Sequence, residues 1–191
     1  KMVKLKEILG DALYSEQDDR LEQCIGRMLS AKGMTVSAAE SCTGGSIAAL
    51  FTSVPGSSEY FLGSVTSYAN SVKTGVLGVP ESVIADHGAV SSECVAAMAE
   101  GVRKLTGSDF SVATSGIAGP GGGSEEKPVG LVWIGVSSQM GTETVKMTFR
   151  GDRKRNIERF AAFALNSIRK KIENEIKTIK ILAYSLIVSL I

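Results

Sequence analysis

The stretch MTVSAAESCTGGSIAALFT, residues 34–52, has the pattern of a strand that turns directly into a helix. Residues 34–39 form a short run of mostly small and apolar side chains, which is typical of a buried strand. Residues 45–52 have a helix-like composition, and the polar turn between the two segments ends in Gly44 and Gly45. Because strands followed by helices build α/β domains, this stretch predicts that fold class.

The same alternation extends on both sides of this stretch. Upstream, apolar residues recur at helical spacing over 21–29, with Asp18 or Asp19 as the predicted cap. Downstream, the patterns predict strands over 61–68, 110–114, 129–137 and 142–149 and helices over 70–77, 80–86, 91–106 and 152–172. The predicted caps of these later helices include Asn70, Ser91 and Asp152. The last two strands are joined by a short turn and therefore pair antiparallel, so we expect a layered α/β/α domain with a mixed sheet.

The composition is that of a globular chain with nearly balanced charge. Its 191 residues are 43% hydrophobic and 21% charged, which provides enough apolar surface for a packed core. The formal net charge is only +1, so we expect no nucleic-acid partner. His87 is the single histidine, and Cys24, Cys42 and Cys94 are too widely spaced for a structural zinc site. We therefore expect no metal site, and the isolated cysteines favour the reducing cytoplasm.

The chain divides into three segments of different character. Residues 1–17 have no strong period and are expected to be a lead-in or linker, and residues 18–175 are expected to form the domain. Residues 176–191 are expected to be an apolar C-terminal tail. Its final run ILAYSLIVSLI, at 181–191, is shorter than the roughly 20 residues that span a bilayer. We expect either a packed terminal segment or a run that is foreign to the natural domain, and no membrane partner.

The polar turn AESCTGG, residues 39–45, is the first candidate site. A turn between a strand and a helix directs backbone N–H groups at one point, where an anion or oxyanion is stabilised. Its two glycines allow a ligand to approach the backbone. Ser41 and Thr43 provide hydroxyl groups there, although the alternative is that one of them only caps the helix. Cys42 is either a nucleophile or a small buried residue.

The segment YANSVK, residues 68–73, is the second candidate. Lys73 falls near the start of the predicted helix, where the positive end of the helix dipole opposes its charge. Such a potential lowers the pKa of an amine, as a catalytic base requires. The alternative is an ordinary solvated lysine.

Two further candidates lie in the second half of the chain. Residues 114–130, TSGIAGPGGGSEEKPVG, form a long glycine-rich loop that could wrap a small ligand, with Ser115 and backbone N–H groups as donors. The loop lacks the lysine of a Walker motif, and the alternative is a flexible excursion. Residues 150–153, RGDR, precede the long helix, and an arginine beside free N–H groups suits a phosphate. The alternative there is a surface turn.

Taken together, these stretches resemble one family, the CinA C-terminal domain, over about residues 20–170. The motifs that carry the resemblance are AESCTGG at 39–45, PGSSEYFLGSVTSYANSVK at 55–73, HGAVS at 87–91, SGIAGPGGG at 115–123, SEEKPVGLVW at 124–133 and FRGDR at 149–153. The lead-in also resembles the junction in full-length CinA proteins, where a molybdopterin-binding-like domain precedes this one. We therefore expect the chain to be the C-terminal domain of such a protein.

The resemblance implies an amidohydrolase that converts nicotinamide mononucleotide and water into nicotinic acid mononucleotide and ammonia, without metal or cofactor. It implies that Ser41 attacks the amide carbon or holds the attacking water, that Lys73 takes the proton, and that Tyr68 orients Lys73. Backbone N–H groups of 42–45 or 115–119 are the expected oxyanion donors. The implied substrate-binding residues are Thr43, Gly44, Gly45, Ser115, Gly116, Gly119 and Arg153. Because the chain has one histidine, a serine–lysine pair is a suitable variant of the usual triad.

A second hypothesis and an assembly expectation complete the sequence analysis. The rival function is a non-catalytic nucleotide-binding, oligomerisation or regulatory domain of a competence- or damage-inducible protein. Small residues lie beside the apolar stripe of the helix over 91–106, at Ala96, Ala97, Ala99 and Gly101. Such residues let another element pack closely, and the resemblance favours a homodimer. The expected partners are thus a small nucleotide and a second copy.

Overall fold

Helices and strands alternate along most of the chain. The structure is a computed structural model that describes residues 8, 10, 13–15 and 19–189, except for the side chains of 183, 184 and 186–189. The helices are α1 (Leu21–Ser30), α2 (Ser46–Thr52), α3 (Asn70–Gly75), α4 (Glu81–His87), α5 (Ser92–Thr106) and α6 (Arg153–Ser189). The strands are β1 (Val36–Glu40), β2 (Phe61–Thr66), β3 (Phe110–Gly116), β4 (Leu131–Ser138) and β5 (Gly141–Thr148).

In the described ranges the strands form one mixed sheet of order β2-β1-β3-β4-β5. Strand β1 pairs in parallel with β2 and β3, whereas β4 is antiparallel to both β3 and β5. Successive side chains of a strand point to opposite faces. Accordingly Ala38 and Val112 join the core beneath α1, α2 and α6, whereas Ala39 and Ala113 join the core beneath α5. The predicted α/β/α fold with a mixed sheet is confirmed.

The caps explain where most helices begin and end. The Ser91 hydroxyl accepts a hydrogen bond from the Cys94 N–H, and Gly107 ends α5 in the left-handed conformation. The Asp152 carboxylate accepts a bond from the Arg155 N–H at the start of α6. The prediction for Asn70 is wrong, because Ala69 occupies the cap position of α3. Arg20 precedes α1 instead of Asp19, and Asp18 lies outside the described residues.

Helix α6 is much longer than the pattern predicted. It continues from Arg153 to Ser189, whereas the expected end was about residue 172. No glycine or proline follows Gly151, so the sequence contains no stop signal for this helix. The Ser138 hydroxyl still donates to Glu175 at 2.6 Å, which ties the helix to the sheet near that point. None of the helices in the described part is both long and apolar enough to cross a membrane.

The small residues of α5 serve packing within the domain. Ala99 is fully buried, and a Cβ atom at Gly101 would overlap the Leu77 carbonyl oxygen. The segment after α3 therefore packs closely against α5 at these small residues. The homodimer stays a prediction.

The parallel strands bring three loops to one edge of the sheet. β1, β2 and β3 run in the same direction, so their carboxyl ends lie together. The segments that follow them, 41–45, 67–69 and 117–130, therefore meet at this edge, which is the usual binding edge of an α/β sheet.

Candidate active site

A cavity of about 270 Å³ opens at this edge. It is lined by Ser41, Cys42, Tyr68, Gly116, Ile117, Ala118, Gly119, Gly121, Gly122 and Arg153. Half of the predicted site residues are in this lining: Ser41, Tyr68, Gly116, Gly119 and Arg153. The other predicted residues lie around it and are not part of the lining: Thr43, Gly44, Gly45, Lys73 and Ser115.

Arg153 joins two walls of the cavity. Its guanidinium donates to the Gly119 carbonyl oxygen at 2.8 Å and to the Tyr68 hydroxyl at 3.0 Å. The Tyr68 side chain is 61% exposed, so this bond holds the ring at the mouth of the cavity. A guanidinium carries more N–H donors than these two bonds use, and the remaining ones are available to an anion.

Ser41 is the residue that follows β1. Its backbone N–H donates to the Thr114 carbonyl oxygen at 3.0 Å, so the edge of the sheet fixes its position. The Ser41 hydroxyl is half-buried and forms no hydrogen bond with the residues that the structure describes. A serine hydroxyl that lines a cavity without an internal partner is available to a ligand.

The neighbouring Cys42 is not a suitable nucleophile. Burial raises the pKa of its thiol to about 12, so it is protonated at neutral pH. The described cysteines are all free thiols. The interpretation of Cys42 as a small buried residue is confirmed, although it also lines the cavity.

Glu40 supplies the cap of α2 that the sequence analysis considered, as an alternative, for Ser41 or Thr43. Its fully buried carboxylate accepts N–H bonds from Gly45, Ile47 and Ala48 at 2.9–3.0 Å. An anion at the N-terminus of a helix satisfies N–H groups that otherwise lack partners. The chain thus fills this helix terminus itself, which corrects the expectation that the Gly45 N–H serves a substrate.

Glu40→Ala should destabilise the domain strongly. The substitution leaves three N–H groups of a buried turn without their charged acceptor, and hydrogen bonds to charged groups contribute about 1.5–3 kcal/mol each. We expect the free energy of unfolding in urea to fall by about 3 kcal/mol or more. Glu59→Ala, at an exposed site, should change it by less than about 0.5 kcal/mol. A comparably small loss for Glu40→Ala would refute the capping role.

Lys73 lies beneath the cavity, and the solvated-lysine alternative is wrong. Its side chain is 1% exposed, and its ammonium donates to the carbonyl oxygens of Ser67 at 2.7 Å and Tyr68 at 3.3 Å. Burial lowers its pKa below the ordinary value, while the neighbouring Cys42 and Cys94 oppose that shift. No direct hydrogen bond joins Lys73 to Ser41 in the described residues. Tyr68 contacts the amine through its backbone carbonyl, and its phenol binds Arg153 instead.

The remaining predicted binding residues are occupied within the protein. The Thr43 hydroxyl pairs with that of Thr114 at 2.8 Å, and the Gly44 N–H donates to the Ser41 carbonyl oxygen. The Ser115 hydroxyl donates to the Ala89 carbonyl oxygen at 2.6 Å. These residues therefore shape the edge of the sheet beside the cavity.

The glycine-rich loop supplies two available backbone donors. The N–H groups of Ala118 and Gly119 have no acceptor among the described residues, and both residues line the cavity. Gly119 has a φ of +89°, and a Cβ atom there would lie 2.6 Å from a methyl carbon of Val129. Both facts require glycine at this position. Both stretches expected to supply oxyanion donors thus contain a free N–H group at the cavity, since the Cys42 N–H also has no acceptor among the described residues.

Two important residues, Glu40 and Asn156, had no assigned role in the sequence analysis, and Cys42 was interpreted only as a nucleophile or a small buried residue. Glu40 and Asn156 anchor the two turns that border the cavity, and Cys42 contributes to its wall. The signal for Glu40 was an acidic residue shortly before the N-terminus of a helix, where a negative charge is favourable. No sequence signal marked Asn156, because its partner at the cavity, the Ala118 carbonyl oxygen, belongs to a residue that is distant in sequence.

The donor chemistry of the site does not suggest a metal. No group of three or more His, Cys, Asp or Glu side chains that could hold an ion occurs in the part of the chain described. The single histidine, His87, ends α4 and lies 3.8 Å from Glu93, away from the cavity lining. The cavity instead presents hydroxyl groups, backbone N–H groups and one guanidinium.

Comparisons with known proteins agree with this architecture. The CinA-like protein of Desulfotalea psychrophila is 46% identical over 172 residues, which cover 90% of this chain and 42% of that protein. The competence damage-inducible protein A of Klebsiella pneumoniae has a TM-score of 0.77 and 35% identity, over 80% of this chain and 95% of that one. The competence/damage inducible protein CihA of Agrobacterium tumefaciens has a TM-score of 0.76 and 37% identity, over 78% and 91%.

The chain spans about two fifths of the length of the curated relatives that it matches. The model of the CinA C-terminal domain matches residues 18–172, which include every residue of the cavity. The resemblance that the sequence motifs indicated is therefore confirmed, and the chain belongs to the CinA C-terminal domain family.

Proposed function

We propose that this domain hydrolyses the carboxamide of nicotinamide mononucleotide to give nicotinic acid mononucleotide and ammonia. The observation that carries the proposal is the convergence in one cavity of an unpartnered hydroxyl, unpaired backbone N–H groups and a guanidinium. These groups come from Ser41, from Ala118 and Gly119, and from Arg153. Amide hydrolysis needs a nucleophile and donors for the developing oxyanion, and these groups supply both.

Ser41 acts on the amide carbon in this proposal. Its oxygen adds to that carbon, or it holds the water that does so, and the carbonyl oxygen becomes an oxyanion facing the N–H groups of Ala118 and Gly119. The C–N bond then breaks as the amide nitrogen accepts a proton, and this nitrogen leaves as ammonia. If the serine itself has added, water hydrolyses the resulting ester and releases the acid.

Lys73 is the proposed base. Its lowered pKa makes a neutral amine more accessible, and a neutral amine can take the proton from Ser41 or from water. The amine bonds to the Ser67 carbonyl oxygen and not directly to Ser41, so the proposal requires a water molecule that connects them. The protonated amine returns its proton to the amide nitrogen, which then leaves as ammonia.

Tyr68 and Arg153 fit the two ends of the nucleotide. The exposed Tyr68 ring offers a π face to the cationic pyridinium, which such a face attracts. Arg153 stands at the first position of α6, where a guanidinium and the helix N-terminus together favour a phosphate. Tyr68 would thus bind the ring and Arg153 the phosphate, from different parts of the fold.

The test is ammonia release by this chain from nicotinamide mononucleotide, nicotinamide riboside and nicotinamide. We expect release from the mononucleotide at the highest kcat/KM, because only that substrate offers both the ring and the phosphate. Binding of the mononucleotide without ammonia release would instead support the rival function, a non-catalytic nucleotide-binding or regulatory domain. The names of several relatives refer to competence and damage and do not state a reaction.

Arg153→Ala should weaken recognition of the phosphate. We expect KM for the mononucleotide to rise about 10-fold or more, the effect of losing a charge-assisted hydrogen bond. KM for the riboside, which lacks phosphate, should change much less. Arg153→Lys keeps the charge but not the planar guanidinium. Its KM for the mononucleotide should lie between those of the wild type and Arg153→Ala. Equal increases for both substrates would show that Arg153 does not bind the phosphate.

A further inference from the structure

Asn156 is a buried polar residue that the proposed reaction does not use directly. It lies in the first turn of α6 and is 0% exposed. Its Nδ2 donates to the Ala118 carbonyl oxygen and to the Gly151 carbonyl oxygen, each at 3.0 Å. Two carbonyl oxygens require an NH₂ group between them, so the orientation of this amide is determined.

The bond to Ala118 has a consequence for the next residue. The Ala118 carbonyl and the Gly119 N–H belong to one trans peptide group, in which they point in opposite directions. Since the carbonyl is directed at the buried Asn156, the N–H is directed away from the protein interior. Gly119 lines the cavity, and its N–H has no acceptor in the described chain.

We infer that Asn156 is a positioning residue that aims the Gly119 N–H at the oxyanion of the amide under attack. This inference rests on the proposed function and extends it to a residue outside the cavity. Hydrogen bonds fix the backbone on both sides of Gly119. Asn156 holds the Ala118 carbonyl oxygen, and the Arg153 guanidinium donates to the Gly119 carbonyl oxygen at 2.8 Å. A donor fixed in advance stabilises a developing charge more than one that must reorient.

The unsatisfied oxygen of Asn156 supports this role. Its Oδ1 is buried without a hydrogen-bond partner, which is unfavourable for a polar atom. An apolar side chain of similar size would avoid that cost but would leave the Ala118 and Gly151 carbonyl oxygens without a donor. The amide at this position therefore contributes through its NH₂ group, which donates to both carbonyl oxygens, although its own oxygen has no partner.

The kinetic test compares Asn156→Leu with Asn166→Leu. Asn166 lies on the same helix and contacts Arg169, away from the cavity. An oxyanion donor acts in the transition state, so Asn156→Leu should lower kcat for the mononucleotide about 10²-fold with KM unchanged within about twofold. Asn166→Leu should leave kcat per folded molecule unchanged. Equal kcat losses in both variants, or a wild-type kcat in Asn156→Leu, would overturn the inference.

A second variant covers the case in which Asn156→Leu does not fold. Asn156→Asp preserves the size of the side chain but places oxygen atoms opposite both carbonyl groups, and it should also lower kcat with little change in KM. Full activity in this variant would contradict the inference.

A spectroscopic readout separates this inference from the proposed function. In protein labelled with ¹⁵N-glycine, Asn156→Leu should shift the Gly119 amide resonance, and Asn166→Leu should leave it in place. If the wild-type chain releases no ammonia, the proposed function fails, and this resonance alone decides whether Asn156 positions Gly119. An unshifted resonance would refute the positioning role even in an active enzyme.

Discussion

Ser41→Ala is expected to reduce ammonia release from nicotinamide mononucleotide by at least about 10³-fold, the order of loss when a nucleophile is removed. The reason is that no other unpartnered hydroxyl nucleophile lines the cavity near the described oxyanion donors, and the neighbouring Cys42 thiol is protonated at neutral pH. Stability should change by less than about 0.5 kcal/mol, because the hydroxyl forms no internal hydrogen bond.

The matched control for this variant is Ser53→Ala. Ser53 is exposed at the end of α2, and its hydroxyl donates to the Leu50 carbonyl oxygen. It should retain wild-type kcat/KM in the same ammonia assay. Substantial turnover by Ser41→Ala, with the fold intact by circular dichroism, would assign Ser41 a structural role only.

Lys73→Met is expected to have the second large effect, a loss of kcat of about 10²-fold or more, as for removal of a general base. Methionine fills a similar volume without a charge, so the substitution removes the amine while the buried site stays packed. Lys104→Met, on the exposed side of α5, should leave kcat unchanged. Retained activity in Lys73→Met would show that the buried amine is not the base.

The pH dependence follows from the lowered pKa of Lys73. The neutral amine is the active form, so kcat/KM should rise with pH through the folded pKa of this residue, which is below its ordinary value. The unfolded chain binds this proton more tightly than the folded one. Lys73 therefore makes the free energy of unfolding increase with pH between the folded and unfolded pKa values. Lys73→Met should flatten both profiles in that range, as rate and urea-unfolding measurements would show.

The sequence predicted the fold closely because its signals were local. The run over 34–39 appears as β1, the Ser91 and Asp152 caps are confirmed, and the short turn before Gly141 joins two antiparallel strands. The end of α6 was missed because no glycine or proline follows Gly151, so helix propensity carries the helix beyond the residues whose spacing marked its buried face. The pattern of buried positions thus predicted an end at about residue 172, whereas local helix propensity extends the helix to Ser189.

The candidate site was predictable only in part, because its hydrogen bonds join distant segments. The motifs placed Ser41, Tyr68 and Arg153 at one cavity, as the shared edge of parallel strands requires. The partner of each polar group depends on three-dimensional contacts. For this reason the sequence did not indicate that Glu40 occupies the α2 terminus or that carbonyl oxygens hold Lys73 beneath the cavity.

Mass spectrometry of the product formed in H₂¹⁸O tests the central claim most directly. The account predicts that the chain converts nicotinamide mononucleotide into nicotinic acid mononucleotide with one ¹⁸O atom in the carboxylate, together with one equivalent of ammonia. This product requires that water replace the amide nitrogen, as in a hydrolysis at Ser41. Recovery of the unchanged nucleotide, or release of free nicotinamide by cleavage of the glycosidic bond, would contradict the account.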